Sequence, residues 1–279
     1  MVNIMENFDM HYRMVIVLAA FDPYKDIFDI FIEQFKKNWP DCPYPLIISN
    51  MYFKCDLENV YVINCGDVKD PALRLKMAID MFDADYYLGF EEDRIIMRPV
   101  NTKEVERILE FMDSENILYY RCNSSVYRKK KSDQYNGYEH CFHIPANEPY
   151  GVCGSTVIWS NRMMHILGDE FDYNGYKWES YQNERAATSH DKWLDYFATD
   201  NRNLFHILHC IEKQKWIAKS RRLLIKQGYD IPRRGREIQS FGETLMAYLK
   251  YCFKLIPGKT RFYIKKLLKK VGFDFVTDY

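Results

Sequence analysis

The stretch DADYYLGFEEDRIIMRP, residues 83–99, joins an apolar segment to a run of three acidic residues. Its first part, DYYLGF, has the length and the apolar and aromatic content of a buried β-strand. Glu91, Glu92 and Asp93 follow directly, and a second apolar run, Ile95–Met97, comes after them. Three carboxylates this close repel one another, and near a core they also lose hydration. The pattern therefore predicts that a positively charged group binds where this strand ends.

Strand and helix patterns alternate before this stretch. RMVIVLAA, at 13–20, is a continuous apolar run, as expected for a strand covered on both faces. IFDIFIEQFKKNW repeats aromatic residues at helical spacing and stops at Pro40. PLIISN and VYVINC are two further strands, and Asp70 with Pro71 opens a helix. This alternation predicts an α/β fold with a mostly parallel sheet flanked by helices.

The second half of the chain has a less regular pattern. Asn101 and Glu104 have the spacing of a capping box at the start of a helix. Residues 123–150 are polar, rich in tyrosine and without periodicity, which predicts a long loop. NILYYRC, GVCGSTVIWS and NLFHILHC are strand candidates, and NRMMHIL is a short helix. Residues 176–198 and 212–228 are expected to be mainly helical.

Length, charge and cysteine usage limit the class of protein. The 279 residues fit one large α/β domain, or one domain with an appended tail, and a net charge of zero argues against nucleic-acid binding. The first residues contain no basic region followed by a long apolar segment, and no run of the chain is apolar enough to span a bilayer. Eight cysteines show neither C-x-x-C pairs nor zinc-site spacing. We therefore expect a cytoplasmic protein with reduced thiols.

The C-terminal segment differs from the rest in charge. Residues 244–273 contain no acidic residue but many lysines and arginines. We therefore assign 1–240 to a catalytic domain and 241–279 to a basic, amphipathic helical tail. In RFYIKKLLKKVGF, one helical face is expected to carry the apolar residues Phe262, Ile264, Leu267, Leu268 and Val271. Such a helix can lie on the inner, anionic face of the plasma membrane, or pack on the core or on another subunit.

The acidic run has two interpretations. In an open parallel sheet, ligands bind outside the carboxyl ends of the strands, which is where Glu91 and Asp93 fall. Mg²⁺ or Mn²⁺ takes oxygen ligands, and such an ion can hold a diphosphate and stabilise its charge as it leaves. The cluster would then bind a nucleotide diphosphate through a metal. The alternative is a solvated turn that merely ends the strand.

YYLGFEEDRIIMRPV resembles the strand and acidic motif of GT-A-fold glycosyltransferases, in which a D-x-D or E-D-D element binds the metal of a nucleotide sugar. AAFDPYKDIFDIFIEQFKKNWPDCPYPLIISN is similar to the opening of bacterial glycosyltransferases that build surface polysaccharides such as capsule and lipopolysaccharide. The resemblance covers residues 13–228. Position 91 is Glu, unlike a strict D-x-D, which leaves open whether Glu91, Glu92 or both assist Asp93.

The resemblance implies a GT-A-like fold and transfer of a sugar from a nucleotide-sugar donor to a hydroxyl of a glycan, with a lipid-linked glycan as the expected acceptor. Asp22 would contact the base or ribose of the donor, Arg74 its phosphates, and Glu92 the bound donor. Gly154 and Ser155 open a strand where backbone could approach the ligand. Without the resemblance, Asp22 is a helix-entry turn, Arg74 a solvated helix residue and Gly154 a tight bend.

The resemblance also implies a general base and a further metal ligand. Inverting sugar transfer needs a base to remove the proton of the acceptor hydroxyl. Glu179 and Glu184 match the position of that base, and Trp178 favours Glu179 because an aromatic ring can stack on a sugar. His209 matches a late metal-binding histidine, and His190 is a weaker alternative. Each could instead be an ordinary surface glutamate or core histidine.

Two other functions remain open from the sequence. A nucleotidyltransferase can share the sheet and the acidic metal site, but it normally carries a glycine-rich loop with a basic residue after the first strand. AAFDPYKD contains no glycine. A non-catalytic, membrane-associated partner with a degenerate site is the second alternative, and the intact acidic residues argue against it.

Overall fold

The computed structural model of the protein describes residues 10–54, 60–123, 133–144, 152–154, 156–168, 196–232, 235–254, 256 and 258–270. They form two compact units, one ending at His209 and the other beginning at Cys210. The limit between a catalytic domain and a tail at residues 240 and 241 remains a prediction.

The strands, in chain order, are β1 (Tyr12–Ala19), β2 (Leu46–Asn50), β3 (Val60–Asn64), β4 (Ala84–Phe90), β5 (Arg94–Ile96), β6 (Tyr119–Arg121), β7 (Cys141–His143), β8 (Val157–Ser160), β9 (Phe197–Asp200), β10 (Ile207–His209), β11 (Ile211–Glu212) and β12 (Lys215–Trp216). The helices are α1 (Lys25–Asn38), α2 (Pro71–Ile79), α3 (Thr102–Ser114), α4 (Asn161–Gly168), α5 (Ala218–Lys226), α6 (Phe241–Lys254) and α7 (Gly258–Lys270).

A sheet of eight strands forms the centre of the first unit, in the order β3-β2-β1-β4-β8-β6-β9-β7. β3, β2, β1 and β4 are parallel neighbours. β8 runs antiparallel to both β4 and β6, β9 is parallel to β6, and β7 is antiparallel to β9. Six of the eight strands therefore share one direction, and the predicted α/β fold with a mostly parallel sheet is confirmed.

The apolar residues of β1 are divided between the two faces of the sheet. Met14, Ile16 and Leu18 pack in a cluster with residues of α1 and α3, whereas Val15 and Val17 pack in a second cluster with residues of α2 and α4. All five are fully buried. Because successive side chains of a strand point to opposite faces, a strand covered on both faces must be apolar throughout. This explains the continuous run RMVIVLAA.

Three elements differ from the sequence-based expectation. β7 lies within the expected loop 123–150, and β9 occupies the end of the segment expected to be helical, 176–198. Residues 212–228 begin with the β11–β12 hairpin, and the helix starts only at Ala218. Lys213 and Gln214 form its two-residue turn with φ angles of 51° and 65°, the left-handed backbone that such turns require.

The predicted capping box is wrong in its contacts. Asn101 does precede α3, but its side chain makes no capping hydrogen bond. The Glu104 carboxylate instead accepts a hydrogen bond from Arg202 Nη1 at 2.9 Å. A charged partner from a distant part of the chain has thus displaced the local interaction, since hydrogen bonds to charged groups are the stronger kind.

The tail is helical, as predicted, but its faces differ from the expectation. In α7, Phe262 and Leu267 are 45% and 67% exposed, whereas Lys265 is only 8% exposed. At 100° per residue Phe262 lies far from Leu267 around the helix, so the two cannot belong to one narrow stripe. Val271 lies outside the described residues.

Two further expectations can be compared with the described residues. The seven cysteines in that part of the chain form no disulfide with one another. Among the described helices, none combines the length and the apolar character needed to cross a bilayer.

Candidate functional site

The carboxyl ends of β1 and β4 lie side by side because the two strands are parallel neighbours, with Leu18 paired to Phe90. After β1 the chain continues through Phe21 into a short 3-10 helix, Asp22–Tyr24. After β4 it continues into the three acidic residues. This edge of a parallel sheet is where ligands bind in open α/β folds, and it brings the candidates from both strands into one region.

Asp93 and His209 are brought together by a small second sheet. β5 pairs antiparallel with β10, and His209 lies directly opposite Arg94. His209 Nε2 is therefore 3.2 Å from Asp93 Oδ2. Asp93 is only 8% exposed, and its Oδ1 is buried and accepts no hydrogen bond from the described residues. A buried oxygen without a hydrogen bond is costly, and Arg94 Nε, 3.8 Å away, offsets only part of that cost, so this atom is a natural position for a cation.

The Asp93–His209 pair fits an ion that completes its coordination with water and phosphate oxygens. Mg²⁺ is typically held by one or two carboxylates plus the phosphates of the substrate. In the part of the chain that is described, no three His, Cys, Asp or Glu side chains are grouped so as to hold a metal ion. Glu91 therefore does not join the pair; its half-exposed carboxylate contacts Arg94, with Nε 3.5 Å from Oε2.

Glu92 lies beneath the edge and links the two strands. It is 3% exposed, and its Oε1 accepts a hydrogen bond from the backbone N–H of Phe21 at 3.1 Å. Burial, together with the negative charges of Asp93 and Glu91, raises the pKa of Glu92 to about 8. Glu92 is therefore mostly protonated at neutral pH, and its burial leaves it no surface for the predicted contact with a donor.

Asp22 organises the loop that follows β2. Its carboxylate accepts hydrogen bonds from three successive backbone N–H groups, those of Met51, Tyr52 and Phe53, at 2.8, 2.8 and 3.0 Å. A carboxylate offers about four acceptor positions, so most of its capacity is used within the protein. Its predicted contact with a base or ribose stays a prediction.

Arg74 is not the solvated helix residue that the sequence alternative suggested. It is 1% exposed, and its Nη1 donates to the carbonyls of Val68 and Lys69 at 2.8 and 2.9 Å. The guanidinium lies over the ring of Phe21, 5.7 Å from its centroid. Burial lowers the pKa of Arg74, and the neighbouring Glu92 opposes that shift. Arg74 thus supplies a buried positive charge beneath the edge.

Gly154 packs against β4 just before the acidic residues. A Cβ on Gly89 would lie 3.2 Å from the Gly154 carbonyl oxygen, and Thr156 N–H donates to the Gly89 carbonyl at 2.7 Å. Here backbone approaches backbone, which favours the tight-bend interpretation. The remaining candidates lie outside the described residues: Ser155, Trp178, Glu179, Glu184 and His190.

A buried ionic network at the end of β9 was missed by sequence reasoning. Asp200 is fully buried and accepts hydrogen bonds from Tyr120 Oη at 2.8 Å and from Arg202 Nε and Nη2 at 3.0 and 2.9 Å. Arg202 also reaches Glu104. The network fixes the segment that leads from β9 into β10, and so the path to His209. An acidic residue ending a short apolar run, FATD, is the only local signal.

A cavity of about 360 Å³ lies at the opposite edge of the sheet, at the start of β1. Arg13, Tyr44, Glu106 and Glu110 are among its lining residues. It contains none of the candidate residues, so the candidate site at the carboxyl edge is identified by its side chains and not by an enclosed cavity.

Comparisons with known proteins give fold-level likenesses only. No family model matches the chain, and no curated protein sequence matches it. Among solved structures, S. aureus TarS 1–349 in complex with UDP-GlcNAc is 10% identical, with a TM-score of 0.43, over 67% of this chain and 55% of that one. The chain likewise covers 58% of the length of the TarS 1–349 fragment in another crystal structure.

Two other solved structures match over more of their length. The galactosyltransferase LgtC, in complex with donor and acceptor sugar analogues, is 11% identical, with a TM-score of 0.45, over 80% of this chain and 98% of that one. CMP:2-keto-3-deoxy-manno-octonic acid synthetase, complexed with CTP, is 13% identical, also with a TM-score of 0.45, over 78% of this chain and all of that one. At these similarities the matches do not distinguish one activity from another.

The raised pKa of Glu92 predicts that the free energy of unfolding of the protein depends on pH. Folded Glu92 keeps its proton to about pH 8, whereas an unfolded glutamate loses it near 4.5. Between these values the folded state binds more protons, so stability falls as pH rises, by at most about 1.4 kcal/mol per pH unit. Glu92→Gln lacks this titration. In urea unfolding with EDTA, its stability relative to the wild type should therefore rise from pH 5 to pH 8 and then level off.

The matched control for this measurement is Glu110→Gln, since Glu110 is exposed on α3. Its stability relative to the wild type should be constant with pH. A constant difference for Glu92→Gln as well would show that Glu92 is ionised in the folded protein.

Proposed function

We propose that the protein is a glycosyltransferase that uses Mn²⁺ or Mg²⁺ to move a sugar from a nucleotide-sugar donor to a hydroxyl of a glycan. The observation that carries the proposal is the Asp93–His209 pair at the carboxyl edge, with Asp93 Oδ1 buried and without a hydrogen bond from the described residues. The ion, when bound by these two side chains, would neutralise the departing diphosphate.

The residues around the pair would then have separate tasks. Glu92, held by the Phe21 N–H, fixes the acidic turn relative to β1. Asp22 fixes the loop after β2, which borders the same edge. Arg74 adds a buried positive charge that favours anions nearby. Glu179, with Glu184 as the alternative, would take the proton from the acceptor hydroxyl.

We further propose that the acceptor is a lipid-linked glycan of a surface polysaccharide and that the tail contacts the inner face of the plasma membrane. The described part of the tail supports this with an exposed mixture of apolar and basic side chains. α6 exposes Phe241, Leu245, Tyr248 and Leu249, and α7 exposes Phe262, Tyr263, Leu267, Lys266, Lys269 and Lys270. Aromatic, leucine and lysine side chains together suit the interface of an anionic bilayer.

Asp93→Asn should lose both metal binding and transfer. Free Mn²⁺ counted by EPR should show at least tenfold weaker binding, because one of two protein ligands loses its charge. Release of nucleoside diphosphate from a panel of nucleotide sugars should fall at least about 100-fold, since the metal supplies several kcal/mol to the transition state. EDTA should abolish wild-type activity and Mn²⁺ should restore it.

Asp80→Asn is the control, because Asp80 is an exposed carboxylate paired with Lys76 beyond the end of α2. It should behave as the wild type does. Full activity in EDTA would contradict the metal-dependent proposal. Pyrophosphate release from nucleoside triphosphates, without turnover of any nucleotide sugar, would identify a nucleotidyltransferase instead.

Glu179→Gln should keep donor binding but lower the transfer rate by roughly 10²–10⁴-fold, the usual contribution of a positioned acid or base. Single-turnover transfer and equilibrium binding of the donor measure the two effects separately. Glu184→Gln is the matched comparison. A rate loss in that variant alone would assign the base to Glu184, and no loss in either would favour a retaining mechanism.

Replacing Lys266, Lys269 and Lys270 together by Gln should weaken binding to anionic vesicles. Each lysine near such a surface contributes about 1 kcal/mol, so the affinity should fall roughly 100-fold. Co-sedimentation with vesicles containing phosphatidylserine, at low salt, measures it. The control replaces three exposed lysines elsewhere, Lys36, Lys37 and Lys103. If the wild-type protein does not co-sediment with these vesicles at low salt, the tail does not bind membranes.

A further inference from the structure

Arg94 is a charged residue of the carboxyl edge to which the proposed reaction gives no role. Its side chain is 31% exposed, and its Nε lies 3.5 Å from Glu91 Oε2 and 3.8 Å from Asp93 Oδ1. Both separations are longer than the 2.7–2.9 Å of a strong charge-assisted hydrogen bond. The two carboxylates therefore hold Arg94 in place while using little of its hydrogen-bonding capacity.

The terminal nitrogens of Arg94 are available for a ligand. Neither Nη1 nor Nη2 forms a hydrogen bond with the described residues, and the guanidinium's hydrogen bond within that part of the chain is the one from Nε to Glu91. The guanidinium is planar, always charged, and presents paired N–H groups whose geometry matches two oxygens of one phosphate. Since the group is partly exposed, an anion can approach it without displacing the core.

The position of Arg94 relative to the metal candidate is fixed by strand pairing. Arg94 follows Asp93 directly and lies opposite His209 in the β5–β10 pair. Asp93 Oδ1, which lacks a hydrogen bond from the described residues, is the atom 3.8 Å from Arg94 Nε. An oxygen that favours a cation and a guanidinium that favours an anion thus lie next to each other. A diphosphate coordinated to a metal ion presents both partners at once.

Arg74, the arginine that the sequence assigned to the phosphates, is less suited to this task. It is 1% exposed, and two backbone carbonyls already occupy its Nη1. Its contribution is therefore a charge beneath the surface, whereas Arg94 can touch a ligand.

We propose that Arg94 binds the diphosphate of the donor directly, leaving Glu91 when the metal-bound diphosphate arrives. This inference rests on the proposed function, because it needs Mn²⁺ or Mg²⁺ on Asp93 and His209. It adds a binding residue, and it assigns Glu91 the role of holding Arg94 near the site in the absence of a ligand.

Two binding measurements on Arg94→Gln test the proposal without any turnover. The probes are Mn²⁺ alone, followed by EPR, and inorganic pyrophosphate at saturating Mn²⁺, followed by calorimetry. Loss of the guanidinium removes a cation that competes for Asp93, so Mn²⁺ should bind about two- to fivefold more tightly. Pyrophosphate should bind at least about tenfold more weakly, because the charged hydrogen bonds to its oxygens are gone.

The opposite changes expected in Mn²⁺ affinity and pyrophosphate affinity distinguish direct binding by Arg94 from a counter-ion role. If Arg94 only neutralises the carboxylates, Arg94→Gln should bind both probes as tightly as the wild type or more tightly, and the proposal fails. Arg98→Gln is the charge-matched control: Arg98 is exposed four residues away and should leave pyrophosphate binding within about twofold of the wild type.

If Arg94→Gln does not fold, Arg94→Lys tests direct binding of the diphosphate instead. It keeps the charge but loses the paired N–H geometry, so pyrophosphate affinity should fall about three- to tenfold with unchanged Mn²⁺ affinity. Wild-type affinity for both probes in Arg94→Lys would overturn the proposal. A wild-type protein that binds neither probe would instead overturn the proposed function, and the role of Arg94 with it.

Discussion

The parallel pairing of β1 with β4 is the interaction on which the candidate site depends. β1 is buried on both faces, and its register with β4 places the end of one strand beside the end of the other. The Phe21 N–H then reaches the Glu92 carboxyl across the gap. Everything proposed for this edge follows from that alignment, because the acidic turn and the loop that Asp22 holds would otherwise have no fixed relation.

The three acidic residues of the turn avoid mutual repulsion by occupying three different environments. Glu91 is half exposed and paired with Arg94, Glu92 is buried with a raised pKa, and Asp93 is buried beside His209. At neutral pH the turn therefore carries fewer full negative charges than its sequence suggests. Asp93 keeps one buried oxygen, Oδ1, that accepts no hydrogen bond from the described residues and lies 3.8 Å from Arg94 Nε, and this oxygen is the proposed focus for an incoming cation.

The elements that the sequence predicted leave a local pattern of apolar residues, whereas the elements that it missed depend on partners elsewhere in the chain. β1, β4 and α1 were predictable because burial on two faces or on one stripe leaves a continuous or a 3.6-residue pattern. β9 was not, since four residues are too few to show a period and its stability comes from β6 and β7 on either side. The β11–β12 hairpin was missed because Lys and Gln are not the residues that favour its turn.

The side-chain partners were the least predictable part of the site. The resemblance predicted Glu91, Asp93 and His209 as metal ligands; the structure places Asp93 and His209 3.2 Å apart and Glu91 against Arg94, and the metal itself stays a prediction. The sequence did not indicate that Arg74 would be buried or that Asp22 would accept three backbone N–H groups. The contacts of Asp22 join segments that are more than 20 residues apart, so residue spacing within either segment does not predict them.

The place of β8 between β4 and β6 has a consequence for synthesis of the chain. β4 and β6 are not neighbours, so the second half of the sheet cannot join the first before β8 exists. Seventy residues separate the end of β4 from the end of β8. At about 5–20 residues per second, the ribosome needs roughly 4–14 seconds to make them. During that interval β4 is an open, apolar strand edge, which is the kind of surface that chaperones shield from aggregation.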